Sequence, residues 1–156
     1  MNLTFEYKNF DIQIQLSGAV GHITYNAARG TYDRFDDNSN YRADYDPWTP
    51  MNPNAKDPRP IYGDSRNTRS GQDRWLENGN YLKVKQIALG YNVPKSILGN
   101  TIESIRVYVN AQNLITFTSY RGLDPEFLNT NIWDRSYDGS SYPNPYGVTF
   151  GAQISF

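Results

Sequence analysis

Apolar and polar residues alternate with a period of two along several stretches of the chain, while a helical period is nearly absent. The clearest stretch runs from Phe10 to Val20. Phe10, Ile12, Ile14, Leu16 and Val20 share one face with Gly18, and Asp11, Gln13, Gln15 and Ser17 share the other. Before it, Leu3, Phe5 and Tyr7 alternate with Asn2, Thr4 and Glu6. Lys8-Asn9 leaves room for only a tight turn, so the two stretches predict a hairpin. Regularity returns at Tyr81. Ile87, Leu89, Tyr91 and Val93 alternate with Gln86, Ala88, Gly90 and Asn92, but Leu82 and Val84 sit on the opposite phase, which predicts a bulge or face change near Lys85. After a short connection from Pro94 to Ile102, Ile105, Val107, Val109 and Ala111 alternate with Arg106, Tyr108, Asn110 and Gln112. The chain closes with Val148, Phe150, Ala152, Ile154 and Phe156 alternating with Thr149, Gly151, Gln153 and Ser155.

The pattern therefore predicts an all-β chain: an antiparallel up-and-down meander of strands over 2–7, 10–25, 81–93, 104–117 and 147–156. Between them, residues 26–80 and 118–146 break all periodicity and are rich in Asp, Asn, Tyr and Pro, as in Asp46-Pro47-Trp48-Thr49-Pro50 and Tyr142-Pro143-Asn144-Pro145. Connections thus read short, long, short, long. Outer-membrane barrels keep short turns on the periplasmic side and long loops outside, whereas a water-soluble sandwich has no reason to. Placing Phe156 at the periplasmic side puts 26–80 and 118–146 outside and the two short connections inside. The apolar phase carries almost no charge, as lipid contact requires, and the polar phase carries Asp11, Gln13, Arg106, Asn110 and Gln112, which suits a wet or plugged lumen. Tyr7, Phe10, Tyr25, Tyr81, Tyr91, Phe117 and Phe156 stand near strand ends, where interfacial aromatic girdles form. Barrels of this kind need about eight strands or more, and an open edge in lipid leaves N–H and C=O groups unpaired, so five strands are expected to be a segment of a larger barrel.

Composition narrows the chemistry. The 156 residues carry 15 basic and 16 acidic side chains, a net charge of -1, which gives no nucleic-acid footprint. Aromatics reach 15 %, with 13 Tyr, so a mean hydropathy of -0.72 does not signify disorder. No apolar run approaches the ~20 residues of a membrane-spanning helix. Cys is absent, which excludes disulfides, thiolate metal sites and Cys catalysis. Met1-Asn2-Leu3-Thr4-Phe5 has neither the basic start nor the apolar core of a signal peptide, so an exported protein with this beginning is expected to be a piece of something longer. His22 is the only histidine and stands at a strand end, which makes a catalytic role unexpected. Asp36, Asp37, Asn38, Asp44 and Asp46 offer oxygen ligands but lack the spacing of a calcium loop, so a solvated loop is expected, with no metal and no cofactor. Trp48, Trp75, Trp133, Tyr137 and Tyr142 fall in the long loops and are candidate contacts to a ligand or to a covering partner.

Three segments then resemble the carboxyl-terminal region of SusC/RagA-like TonB-dependent outer-membrane transporters. They are Asn80-Tyr81-Leu82-Lys83-Val84-Lys85-Gln86-Ile87-Ala88-Leu89-Gly90-Tyr91-Asn92-Val93-Pro94, the run from Arg106 to Glu126, and the ending Phe150-Gly151-Ala152-Gln153-Ile154-Ser155-Phe156. Phe5-Glu6-Tyr7-Lys8-Asn9-Phe10-Asp11 is similar to an earlier hairpin of the same region. Asn113, Gly122, Asp124, Pro125 and Glu126 carry the most specific part of the likeness, and Gly151, Ile154 and Phe156 resemble the β-signal read by the barrel assembly machinery. The resemblance implies the last five strands of a plugged barrel of about 22 strands. It implies import of oligosaccharides or peptides and no enzymatic activity. The implied partners are the rest of the barrel and its plug, a SusD-like surface lipoprotein, outer-membrane lipid, and TonB acting through an amino-terminal segment that this chain lacks. The alternative is a soluble β-sandwich that binds glycans through loop Trp and Tyr, with one sheet packed on another.

Overall fold

The structure is a computed structural model that describes residues 1–33, 40–63, 66, 72–99, 101–127 and 131–156. The chain divides into two compact units, one comprising 1–21, 80–119 and 143–156 and the other 22–79 and 120–142.

The strands in chain order are β1 (Asn2–Tyr7), β2 (Phe10–Ala19), β3 (Ile23–Asn26), β4 (Leu76–Asn78), β5 (Tyr81–Asn92), β6 (Ser104–Thr118), β7 (Tyr137–Asp138) and β8 (Gly147–Ser155). The first unit is the expected five-stranded antiparallel sheet, in the order β1-β2-β5-β6-β8, and the sheet is open. The β1–β2 hairpin turns at Lys8, which takes a left-handed φ of 56° and brings Tyr7 opposite Phe10. The expected irregularity at Lys85 is present. Gln15 pairs with Gln86 and Leu16 with Val84, leaving Lys85 extra, and on the far side Val84 meets Ile115 while Gln86 meets Gln112. Asn113 absorbs that second bulge with a φ of 54°, a conformation that Asn tolerates better than most residues. The bulge re-phases β5, so that Leu82 and Val84 join the same face as Ile87 and Leu89.

The strand expected over 10–25 is corrected. β2 ends at Ala19, Gly21 turns the backbone with a φ of 80°, and its N–H donates to Asn80 Oδ1 at 2.7 Å. Residues Ile23–Asn26 form β3, which belongs to a separate three-stranded sheet, antiparallel to β4 and parallel to β7. Only glycine takes that positive φ at little cost, so the extended run cannot continue through it.

The second unit is built around polar contacts. Helix α1 (Ala27–Tyr32) follows β3 and is capped by Asn26, whose Oδ1 accepts from the Arg29 N–H at 2.9 Å. Trp75, 1 % exposed, fills the interior, with the Arg74 guanidinium 4.0 Å from its ring and Gly30 beside its pyrrole ring. Thr24, Asn26, Asp33, Asp57 and Asp138 are buried with it. Arg29 pairs with Asp33 at 3.0 Å and Glu77 at 2.9 Å, and Arg42 reaches Asp57 at 2.9 Å and Asp33 at 3.1 Å. A unit whose interior is charged shows no apolar period, which is why 26–80 looks irregular in sequence.

Candidate functional site: two faces of one sheet and a loop hub

Strand register sorts the sheet into transverse rows. Phe5, Ile12, Leu89, Val109 and Phe150 are consecutive partners across all five strands, an unbroken apolar row. The next row is Glu6, Asp11, Gly90, Tyr108 and Gly151, on the opposite face. The apolar face is open to its surroundings: Phe5 is 57 %, Phe117 58 % and Phe150 79 % exposed. Side chains of this kind left uncovered over five strands call for an apolar medium or partner. The sandwich alternative needs that face buried, and these side chains are not.

The polar face closes on itself. Arg106 on β6 reaches across β5 to Asp11 on β2, donating from Nε at 3.1 Å to Oδ1 and from Nη2 to Oδ2. The pair passes over Gly90, where a Cβ would meet both the carboxylate and the guanidinium. Tyr108 lies over Gly151 in the same way, and Arg106 Cζ is 5.4 Å from the Tyr108 ring centroid. A cavity of about 540 Å³ opens here, lined by Glu6, Lys8, Asp11, Gln13, Arg106 and Asn110 among others. Gly151, expected from the sequence to belong to a β-signal, has a packing role here. Ile154 and Phe156 stand on the exposed apolar phase of the last strand.

The motif residues gather in the loops except for Asn113, which sits in the β6 bulge and donates from Nδ2 to Pro145 O at 2.9 Å. Beyond β6, the buried Tyr120 hydroxyl donates to Asp138 Oδ2, and Asp138 Oδ1 accepts from the Ser140 N–H at 3.0 Å and the Ser141 N–H at 3.3 Å. Gly122 lies beneath the Tyr120 ring, which occupies the space a Cβ would need. Asp124 and Pro125 are buried, and Asp124 Oδ1 accepts from the Glu126 N–H at 3.0 Å, a turn closed by its own side chain. Burial, together with the bond to Asp138, holds the Tyr120 hydroxyl far above the ordinary tyrosine pKa. Burial likewise pushes Tyr45 up to about 12. Burial works against the charge of Arg29, but its bonds to Glu77 and Asp33 outweigh this and leave its pKa above the ordinary arginine value.

Of the five aromatic candidates, Trp75 departs from the expectation: at 1 % exposure its ring is an interior packing element with no face to offer. Trp48, Trp133, Tyr137 and Tyr142 are exposed, and Tyr137 stacks on Tyr25 at 5.4 Å. Asp46 accepts from Asn52 Nδ2 at 2.7 Å, and Asp44 lies 3.4 Å from Arg42, while Asp36, Asp37 and Asn38 lie outside the described residues. Among the described residues no cluster of three or more His, Asp or Glu is arranged to hold a metal ion. Sequence reasoning missed the Asp11–Arg106 pair. Its signal is a glycine on the polar phase of the strand between an acid and a base.

No family model matches the chain. It is 36 % identical over 99 % of its length to TonB-dependent receptor P3 of Formosa agariphila, and 25 % identical over its whole length to TonB-dependent receptor SusC of Bacteroides thetaiotaomicron. It spans 16 % of the first and 15 % of the second. Among solved structures it superposes on the RagAB peptide transporter with a TM-score of 0.78 and 27 % identity, covering 97 % of this chain and 16 % of that one. The RagAB peptide importer in its closed-closed state gives 0.76 and 26 %. With an open five-stranded sheet of one apolar and one polar face, and relatives that match it from end to end, the chain belongs to the SusC/RagA-like TonB-dependent receptors.

Proposed function

We propose that this chain is the carboxyl-terminal part of a TonB-dependent outer-membrane importer, forming a stretch of barrel wall and two extracellular loops, 26–80 and 118–146. The observation that carries the reading is the pair of transverse rows: five apolar residues on one face of the sheet beside five polar or small ones on the other. An apolar row of this kind matches hydrocarbon, where an Arg at mid-bilayer costs roughly 2–4 kcal/mol. The polar row suits a lumen filled by a plug. The remaining barrel strands continue the pairing at the open edges of β1 and β8. Oligosaccharides or peptides are the substrate classes, TonB supplies the drive through a segment outside this chain, and a SusD-like lipoprotein covers the loops. The wall has no enzymatic role, and the ending Gly151-x-x-Ile154-x-Phe156 serves insertion by the barrel assembly machinery.

Cysteine scanning tests the wall, because the chain has no Cys of its own. Single cysteines at 107–111 in β6, in the complete barrel that carries this chain and reconstituted into lipid bilayers, should react alternately. Positions 107, 109 and 111 should take a lipid-soluble maleimide, and 108 and 110 a water-soluble one. Equal reaction of both sets with the water-soluble reagent would refute the proposal.

A further inference from the structure

Alternation fixes only part of a strand's register. A one-residue slip of β8 along β6 turns its apolar side chains onto the polar face. A two-residue slip does not: Val148, Phe150, Ala152 and Ile154 stay on the apolar face beside Val107 and Val109. Within this chain β8 pairs with β6 alone, so no second ladder chooses between these registers.

The polar face does choose. Tyr108 stands opposite Gly151, and its phenol ring occupies the space in which a Cβ would stand, closer than carbon atoms approach one another. Thr149 and Gln153, the flanking residues on that face, both carry a Cβ, and a slip of two in either direction drives one of them beneath the ring. Gly147 is the next residue without a Cβ. Bringing it to Tyr108 gives up four of the nine residue pairs that join β6 to β8.

The ring is itself held in place. The Arg106 guanidinium carbon lies 5.4 Å from its centroid, and Arg106 is fastened to the Asp11 carboxylate on β2, with Nε at 3.1 Å. The same ion pair fills the space above Gly90 on β5, where slips of two would bring Ala88 or Asn92. A brace from Asp11 through Arg106 to Tyr108 thus spans β2 to β8 and rests on a glycine at each strand it crosses.

We propose that Tyr108 is a register key for the carboxyl-terminal strand. Seated over Gly151 and positioned by Arg106 and Asp11, it excludes the two-residue slips that alternation permits. It thereby sets the stagger at which β8 presents its open edge, the quantity that strand number and tilt must match when a sheet closes.

Disulfide trapping tests this in the complete barrel, built without other cysteines; this chain has none. The pair Asn110→Cys with Thr149→Cys is opposed in the observed register. Asn110→Cys with Gly147→Cys, and Gln112→Cys with Thr149→Cys, become opposed only after a slip of two in one direction or the other. Opposed residues stand about 5 Å apart and diagonal ones about 7–8 Å, so brief oxidation closes opposed pairs selectively. With Tyr108 present, the first pair should close and the other two should not. Tyr108→Ala should raise closure of the slipped pairs by about tenfold, Asp11→Ala by a smaller factor, and Tyr108→Phe, which keeps the ring, should leave it unchanged. Where Tyr108→Ala does not insert, Tyr108→Leu, a packed side chain without a flat ring, carries the same expectation. A contact that merely stabilises the sheet predicts a different result: the variants unfold at lower urea while only the registered pair closes. That result, or slipped pairs that close as readily with Tyr108 present, would overturn the inference. A slip of two leaves the alternation of maleimide labelling untouched, so this test and that of the importer reading fail separately.

Discussion

Asp11 and Arg106, 95 positions apart in sequence, form a two-point ion pair across the backbone of Gly90. Their strands are not neighbours: β5 lies between them, and the bond is possible because the intervening residue has no side chain. The five-stranded sheet is thus tied together on its polar face as well as through its ladders.

Gly90→Ala should therefore loosen the sheet. A methyl group there displaces the carboxylate and the guanidinium without touching the strand ladder, and about 1–2 kcal/mol should be lost from a part-buried, charge-assisted pair. The loss should fall to near zero in an Asp11→Ala background, where nothing remains to displace. Urea unfolding followed by sheet circular dichroism in detergent measures both. An equal cost in the two backgrounds would mean that Gly90 is needed for its backbone alone.

A second cycle separates the packing role of Gly151 from the β-signal role proposed for it. Gly151→Ala drives a Cβ into the Tyr108 ring, so stability should fall by about 1–3 kcal/mol. In a Tyr108→Ala background the same change should be nearly neutral. If the assembly machinery requires Gly151 itself, insertion of Gly151→Ala into vesicles that carry it will stay defective in both backgrounds.

Tyr120 makes the loop unit sensitive to alkali. The folded unit holds the hydroxyl proton more tightly than the unfolded chain, whose tyrosine titrates near 10.0. The stabilisation is complete below that pH and is lost as the pH rises through the folded value. Tyr45, raised to about 12, adds to the same decline. The absorbance of tyrosinate, read against thermal unfolding, should show unit stability falling above pH 10, with the decline smaller in Tyr120→Phe. That variant should itself cost about 1–3 kcal/mol, because buried Asp138 loses a donor.

The three tryptophans should divide by burial. Trp75→Ala empties the interior of the loop unit and should cost about 3–5 kcal/mol. Trp133, 90 % exposed, should change stability by no more than about 0.5 kcal/mol when replaced by Ala. Thermal unfolding of both variants measures the contrast, and similar values would show that the packing around Trp75 carries little of the unit's stability.

The alternation in the sequence by itself determined the five-stranded meander, the pairing of neighbours in chain order, which face is apolar, and the irregularity at Lys85. Period-two patterning records side-chain direction directly, and a one-residue slip would turn every apolar residue over, so the phase of each strand follows from the pattern. The end of β2 was not legible in this way. Ile23 and Tyr25 continue an extended pattern, and the chain leaves the sheet because Gly21 adopts a left-handed φ and Asn80 captures its N–H. The motif was visible as Asn113, Gly122, Asp124, Pro125 and Glu126, but what Gly122 is for appears only when the Tyr120 ring is seen above it. Tertiary structure alone decided the loop unit. Its interior is made of Arg29, Arg42, Asp33, Asp57 and Asp138 around Trp75, and charged pairs distant in sequence leave no period along the chain. Apolar burial writes itself into a repeat, whereas ion pairing depends on partners brought together only once the chain has folded.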